Sequence, residues 1–236
     1  MKVDRPIVCL GLGYVLLASL VKPSMPFSDL TDFWVPAARL FLEGRPQDLY
    51  SIRVSLFGLE FPNSYPPLFF AMLAPFVALA DALGLGYGTY ASNQVLDGFG
   101  AAIVGLPLVL GDVLLAWIFC RLAAPRLGRE DTRWLFVLLL LQPLVSFSSV
   151  KLQHHESLLL ATLLAAVWSL ERGHPTRATL LATLALCWKS TAVLALPALA
   201  LAAKRRQGSG AAWRMLLLPP LGFGLLLLPW LIKRWD

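Results

Sequence analysis

The chain has 236 residues, of which 58% are hydrophobic and 14% are charged, and its formal net charge is +6. A mean hydropathy of +0.69 leaves too little polar surface for a soluble globule, so the composition predicts an integral membrane protein. The excess of Arg and Lys lies at the ends of apolar blocks and predicts contact with membrane lipid. Nucleic-acid binding is not expected, because no basic face with interleaved aromatic residues lies outside those blocks.

The apolar blocks predict an all-α fold, a polytopic transmembrane helical bundle of about seven spans. They cover residues 6–21, 66–80, 99–119, 134–150, 157–170, 178–203 and 215–232. Residues 1–5 before the first apolar block resemble the start of a signal peptide, but no convincing cleavage site follows and the rest of the chain is equally hydrophobic, so we expect a retained helix. Cys9, Cys120 and Cys187 each lie in an apolar block and predict neither a disulfide framework nor a metal cluster.

The positions of Arg and Lys predict the orientation of the bundle. Basic residues cluster at 121–133, at 172–177 and at 204–206, and such clusters mark cytoplasmic connections. Two of these clusters would face outward if block 66–80 crossed the bilayer. We therefore expect residues 66–83 to lie on the outer leaflet, within an outer loop of residues 23–98 that carries juxtamembrane helices. The whole chain is expected to form a single transmembrane module, 1–236.

Two blocks contain interruptions. Residues 178–203 are too long for one straight span and contain Lys189 near the middle, which predicts two short helices that meet near Lys189 on the outer side. Pro219 and Pro220 predict a break or a bend in the last block, because proline removes a helical hydrogen bond.

The sequence SDLTDFW, residues 28–34, places two carboxylates after the first apolar block. Asp29 and Asp32 precede a predicted amphipathic helix that Gly44 ends, with Arg39 off its apolar face. One carboxylate suffices to cap that helix, so the second suggests chemistry. Either residue could be a catalytic base or a cap.

Further polar residues adjoin the apolar blocks. Tyr65 precedes two prolines at the start of a block, and we expect its hydroxyl at the membrane interface. A polar cluster connects two blocks and would suit a lipid phosphate, or it could be a polar turn; it contains Lys151, Gln153, His154, His155 and Glu156. Adjacent histidines lie about 100° apart on a helix and lack the HExxH spacing of a zinc site.

Two charges lie inside apolar blocks, where a charge costs about 2.5–3.5 kcal/mol on the translocon scale. Asp112 must therefore have a partner or face the bundle interior. Lys189 carries the same requirement. The sequence allows the two to pair with each other, or Lys189 to bind a phosphate.

These residues, in this order, resemble the C-type glycosyltransferase superfamily, and especially its polyprenol-phosphate-mannose-dependent branch. The resemblance rests on DLTDFWVPAARLFLEGRPQDLYS, YPPLFFAMLAPFVAL, LVLGDVLLAWIFCRL, QPLVSFSSVKLQHHES and LALCWKSTAVLALPAL. It covers the N-terminal catalytic module of that superfamily. It implies that an Asp of the outer loop is the general base: spacing to Phe33 and Trp34 favours Asp29, whereas Asp32 is nearer the helix start.

The resemblance implies a membrane glycosyltransferase in the bacterial plasma membrane with its active site on the non-cytoplasmic face. The expected substrates are a polyprenyl-phosphate sugar donor, with mannose as the expected hexose, and a glycolipid or glycan acceptor. We expect no cofactor and leave a metal out, although an Asp pair could hold a divalent ion. The alternative is a non-catalytic protein, either a subunit of a partner membrane enzyme or a carrier of lipid-linked sugars. A carrier would need polar residues on both faces.

Overall fold

The computed structural model describes residues 5–21, 33–56, 59–62, 65–87, 99–142 and 156–232. These residues are predominantly helical, as the sequence predicts. The α-helices are α1 (Arg5–Val21), α2 (Val35–Leu42), α3 (Pro67–Ala82), α4 (Phe99–Val104), α5 (Leu106–Ala123), α6 (Arg129–Leu141), α7 (Glu156–Glu171), α8 (Pro175–Trp188), α9 (Leu196–Gln207) and α10 (Ser209–Ile232). Short 3₁₀ helices cover Pro46–Ser51 and Ser190–Ala195.

The chain divides into two compact units. The first contains Met1–Ser64 and Phe70–Leu158, and the second contains Tyr65–Phe69 and Leu159–Asp236. The prediction of a single module stays a prediction, and each unit is described by itself below.

The first unit contains a group of three helices, α1, α5 and α6. Helix α1 runs antiparallel to α5, because Ile7 packs with the cluster of Ala116 and Cys120 whereas Ala18 packs on Val109. Helix α6 returns antiparallel to α5 after a short connection, and Phe136 is fully buried in the same cluster. We call the end of this group at which α1 and α6 finish and α5 begins the Val21 end. The opposite end is the Arg121 end.

The residues between α2 and α3 include an antiparallel β-hairpin that the sequence analysis did not predict. Its strands are β1 (Arg53–Leu56) and β2 (Leu59–Pro62), with Arg53 opposite Pro62 and Leu56 opposite Leu59. The prediction for this region named juxtamembrane helices alone. The physical reason is that polar and apolar residues alternate along each strand with a period of two, and the backbone hydrogen bonds of the two strands pair across the hairpin.

Helix α10 packs on α8 and α9 in the second unit. The predicted interruption near Lys189 is confirmed: α8 ends at Trp188, Lys189 has extended backbone angles, and a 3₁₀ helix follows. The alternative of a break at Pro219 and Pro220 is wrong, because α10 continues through both prolines, whereas the alternative of a bend stays a prediction. Neighbouring helices can satisfy the carbonyl groups that proline leaves unbonded.

Two described helical stretches are long and apolar enough to cross a bilayer, Phe99–Ala123 and Ser209–Trp230. Helix α1 and helix α3 are apolar but shorter. Leucines on α1 and α10 are exposed by about three fifths, among them Leu12, Leu16, Leu217 and Leu225, and such surfaces suit lipid. The count of seven spans stays a prediction.

Candidate functional site

The acidic motif leads directly into a tightly packed turn. Asp29 and Asp32 lie outside the described residues. Phe33 and Trp34, which follow, form a π-helical turn before α2 and are almost fully buried. A π-helical turn interrupts the regular hydrogen-bond pattern of an α-helix and often occurs at functional sites. The buried aromatic pair therefore anchors the chain immediately after the motif.

Helix α2 is fixed to α3 at both of its ends. At its start, the Phe33 ring meets the Phe70 ring edge to face at 5.5 Å. At its end, Arg39 makes a bidentate ion pair with Asp81, with Nη2 to Oδ1 at 2.8 Å and Nε to Oδ2 at 3.2 Å. The predicted end of the helix at Gly44 is confirmed, since Gly44 has a φ of 69°.

Tyr87 completes the contact between Arg39 and Asp81. Its hydroxyl donates to Asp81 Oδ1 at 2.7 Å, and the Arg39 guanidinium lies 5.7 Å from its ring centre. The hydrogen bond from Arg39 holds the pKa of Asp81 below its usual value, and the same bond raises the pKa of Arg39. Burial and the bond to Asp81 raise the pKa of the Tyr87 phenol. The three side chains form a charged clamp between α2 and α3.

Asp112 is fully buried in α5 and accepts a hydrogen bond of 2.8 Å from the Tyr14 hydroxyl of α1. The expectation that Asp112 needs a partner is met by this bond. A buried carboxylate requires such donors, because burial of an unpaired charge costs far more free energy than burial of a neutral polar group. Pairing of Asp112 with Lys189 stays a prediction.

Gly111, next to Asp112, allows the first turn of α7 to approach α5. A Cβ atom at Gly111 would lie 3.1 Å from the Leu158 nitrogen and 3.2 Å from its Cα. Glu156 lies two residues before Leu158, is half-buried and is the first residue of α7. The helix dipole favours a negative charge at this position. The rest of the predicted polar cluster, Lys151, Gln153, His154 and His155, lies outside the described residues.

The two predicted polar motifs connect to the same end of the three-helix group. Residues 22–32 follow Val21, and residues 143–155 run from Gln142 at the end of α6 to Glu156. Both helix ends belong to the Val21 end, and Leu158, which belongs to the first unit, lies against Gly111 in the half of α5 that begins there. The fold therefore brings the attachment points of the acidic and basic motifs to one end of one helix group.

Two further candidates lie in the second unit. Tyr65 is half-buried, and its ring stacks on Phe69 at 5.8 Å. Lys189 is half-buried at the helix break, directly after Trp188, whose indole nitrogen donates to Thr162 Oγ1 at 3.1 Å. A lysine at an irregular point of the backbone, between a buried residue and an exposed one, can extend its ammonium group away from the apolar core.

Tyr14, Asp81 and Tyr87 were not singled out by the sequence analysis. Two of them had a weak signal: Tyr14 is a polar group in an apolar block, and Asp81 directly follows one. None of these signals names a partner, because the contacts join residues 98 and 42 positions apart.

Comparison with known proteins identifies one family. Residues 47–205, more than half of the chain, match the MptA_B family, described as alpha-(1->6)-mannopyranosyltransferase, N-terminal domain. The match contains Tyr65, Asp112, the 151–156 cluster and Lys189, and it begins after the acidic motif and Arg39. No curated protein and no solved structure matches the chain.

Proposed function

The chain belongs to the MptA_B family of alpha-(1->6)-mannopyranosyltransferases, of which it carries the N-terminal domain, and from this membership we propose its reaction. It transfers a mannosyl group from a polyprenyl-phosphate mannose to a hydroxyl group of a glycolipid or glycan acceptor. The acceptor and donor sites lie on the non-cytoplasmic face of the membrane. The resemblance of the N-terminal catalytic module to mannosyltransferases and the match to this family support the same reaction class.

One observation carries the location of the proposed active site. The helix ends that lead into residues 22–32 and 143–155 both belong to the Val21 end of the α1, α5 and α6 group. The segments that contain the acidic motif and the motif with one lysine and two histidines thus both follow helices that end at the Val21 end. A carboxylate to take a proton and cations to hold a phosphate are the two requirements of the reaction.

The proposed reaction is a single displacement. A carboxylate of the acidic motif, Asp29 or Asp32, takes the proton of the acceptor hydroxyl as its oxygen bonds to C1 of the mannose. The bond between C1 and the phosphate oxygen breaks, and its electron pair stays on the polyprenyl phosphate. Attack from the face opposite the leaving group inverts the configuration at C1.

Cations stabilise the charge that develops on the leaving phosphate. We assign this role to Lys151, His154 and His155, with Lys189 as a further phosphate ligand. Such preorganised groups act where water is excluded, and removal of one donor costs about 2.7–4 kcal/mol in comparable sites. Tyr65 and Gln153 bind substrate hydroxyl groups in this scheme. No metal ion takes part, so we expect transfer to persist in the presence of a chelator.

The packing around α2 supports a base at a defined position. The aromatic pair that follows Asp32 is buried, and the clamp of Arg39, Asp81 and Tyr87 holds the other end of the helix. A base must lie within hydrogen-bond reach of its proton, so a rigid support next to the acidic motif is useful for catalysis.

The deciding experiment replaces the carboxylates one at a time. Asp29→Asn and Asp32→Asn keep side-chain size and the ability to cap a helix, so both variants should insert and fold normally. Loss of a general base lowers the rate by about 10²- to 10⁴-fold. We expect one of the two variants to lose transfer of radiolabelled mannose from polyprenyl-phosphate mannose in membranes, whereas the other keeps it.

The control is Asp48→Asn in the same outer region, where Asp48 pairs with Arg45 in an exposed salt bridge and should leave transfer unchanged. Full transfer by both motif variants and by the double variant would refute the assignment of the base. Absence of transfer by the unaltered chain, together with co-purification of an active transferase, would instead establish the non-catalytic subunit.

A further inference from the structure

A groove with a volume of about 320 Å³ lies between α9 and α10 in the second unit. Gly208, with a φ of 89°, is the single residue between the two helices, and α10 packs back along α9. Four described residues of each helix line the groove, and in both helices they have the i, i+3, i+4, i+7 spacing of one helix face. They are Pro197, Ala200, Leu201 and Lys204 of α9, and Ser209, Ala212, Trp213 and Leu216 of α10.

The groove is polar at one end and apolar along the rest of its length. Lys204 and Ser209 flank the connection between the helices and line the polar end with an ammonium group and a hydroxyl group. The other described lining residues are apolar. Leu201 is half exposed and Trp213 is exposed by about three fifths, so the groove is open along its side. This gradient of polarity fits an amphiphile with an anionic head and an apolar chain.

The end of the second unit that contains Lys204 is strongly basic. The Gln207 amide donates to the Leu170 carbonyl at 3.3 Å, so the ends of α9 and α7 lie together there. Six basic residues lie at this end or within two helical turns of it: Arg172, Arg177, Lys204, Arg205, Arg206 and Arg214. This surplus of positive charge favours an anionic ligand.

Lys204 is not neutralised by an acidic side chain of its own unit. Glu171 is the only carboxylate side chain in the described part of that unit, and it pairs with Arg206 at 3.7 Å. Lys204 therefore has no carboxylate partner among these residues, and its charge is available to a ligand in the groove.

The position of the groove favours a lipid over a soluble anion. Helix α10 is long and apolar enough over Ser209–Trp230 to cross a bilayer, and the polar end of the groove lies at its start. Tryptophan is enriched at the membrane interface, and basic pockets between membrane helices bind lipid head groups. Helix α10 also exposes Leu217 and Leu221 beyond the groove, so a long acyl chain would continue along an apolar surface.

We propose that the groove between α9 and α10 binds one anionic membrane phospholipid. Lys204 and Ser209 bind its phosphate, and one acyl chain packs along Leu201 and Trp213. Lys189, which we assign to the donor phosphate, lies at the opposite end of α8 from the basic end of the unit. The inference is therefore independent of the proposed transfer reaction.

Native mass spectrometry of the purified full chain in detergent tests the proposal, with dioleoyl phosphatidylglycerol titrated against dioleoyl phosphatidylcholine. We expect the chain to retain phosphatidylglycerol preferentially. A lysine near an anionic lipid contributes about fivefold in affinity, so Lys204→Gln should weaken the binding of phosphatidylglycerol by about that factor. Arg205→Gln removes the same charge from an exposed neighbour that does not line the groove, and it should bind as the unaltered chain does.

A pair of phenylalanine variants tests the groove without a change of charge. Ala212→Phe fills the groove and should abolish the preference for phosphatidylglycerol. Ala211→Phe places the same side chain at the neighbouring position, which does not line the groove, and should keep the preference. Thermal unfolding without added lipid identifies variants that are not folded.

Equal retention of the two lipids by the unaltered chain would overturn the proposal. So would equal losses in Lys204→Gln and Arg205→Gln, which would show that the net charge of this end attracts the lipid. A dimer in lipid-free detergent that Ala212→Phe dissociates would assign the groove to a second copy of the chain. Binding of soluble glycerol phosphate as tight as that of phosphatidylglycerol would assign the polar end to a free phosphate, and either result would also overturn the proposal.

Discussion

The pairing of Asp112 with Tyr14 places a carboxylate where the helices are otherwise apolar. Asp112 is fully buried, and the Tyr14 hydroxyl donates to it across 2.8 Å. A hydrogen bond to a charged group contributes about 1.5–3 kcal/mol, more than a neutral one. The bond also joins α1 to α5 next to Gly111, so it has a structural role within this helix group.

We expect Tyr14→Phe to lower the free energy of unfolding by about 1.5–3 kcal/mol, because a buried carboxylate loses a donor. In an Asp112→Asn background the same change should cost less, since the neutral amide needs the donor less. Thermal unfolding in detergent, followed by circular dichroism, measures both. Tyr50→Phe is the control, because burial alone, and not a bond to a carboxylate, raises the pKa of Tyr50. Equal losses of unfolding free energy in the two variants would contradict the role given to the Tyr14 hydroxyl.

The clamp of Arg39, Asp81 and Tyr87 is more exposed and depends on pH. The pKa of Asp81 is lowered in the folded chain by its bond to Arg39, so its stabilising effect is present above the unfolded pKa of about 3.9. That effect is lost as the pH falls through the folded pKa. The pKa of Tyr87 is raised, so its contribution is present below about pH 10 and is lost at higher pH.

Arg39→Gln should therefore lower the free energy of unfolding by at most about 1 kcal/mol at pH 7, because both side chains of the ion pair are partly exposed to water. In this variant the fall in stability at acid pH that comes from protonation of Asp81 should disappear. In Tyr87→Phe the fall in stability at alkaline pH that comes from ionisation of Tyr87 should disappear. Unfolding temperatures between pH 3 and pH 11 give the profile. A variant of Arg39 that keeps the full acid dependence would show that Asp81 is held by another group.

At the scale of elements, the contact between α5 and Leu158, which belongs to the same unit, depends on Gly111. A Cβ atom there would meet the backbone of Leu158, which cannot move as a side-chain end can. Gly13 in α1 provides a matched comparison, because a Cβ atom at Gly13 would have no neighbour within 4 Å. The two glycines lie in apolar helices and differ in their surroundings.

Gly13→Ala should raise the free energy of unfolding by up to about 1 kcal/mol, since alanine favours helix over glycine. Gly111→Ala should lower it by about 1–3 kcal/mol, because overpacking forces a backbone shift. Thermal unfolding compares the two. The displaced α7 start should also reduce mannosyl transfer in Gly111→Ala, if the neighbouring polar cluster binds the donor. A stabilised Gly111→Ala variant would show that the approach is not tight.

At the scale of the whole molecule, the arginine-rich connection between α5 and α6 predicts which face is cytoplasmic. Single cysteines can be introduced into a chain whose native Cys9, Cys120 and Cys187 have been replaced. We expect cysteines at Gln47 and Gln153 to react with an impermeant thiol reagent on intact cells, and one at Gly128 to react after permeabilisation alone. Labelling at Gly128 but not at Gln153 on intact cells would reverse the orientation.

Local features of the fold were readable from the sequence. The helices of the apolar blocks, the connection after Arg121, the end of α2 at Gly44 and the interruption at Lys189 all depend on nearby residues. Hydropathy over a helix length, a glycine that accepts positive φ and a charge within an apolar run act within a few turns of the chain. The membership in a mannosyltransferase family was also predicted from motif order, and the family match confirms it.

Other features were decided by tertiary structure. The partner of Asp112 is 98 residues away and that of Arg39 is 42 residues away. Polar and apolar residues alternate along Arg53–Leu56, but four residues are too few to predict a strand by themselves, and the two strands exist because each supplies the other's hydrogen-bond partners. The antiparallel packing of α1, α5 and α6 brings the helix ends that precede two distant segments, 22–32 and 143–155, to one end. Sequence determines which groups need a partner, whereas only the packed chain determines which distant group supplies it, because that choice depends on helix contacts between residues far apart in the chain.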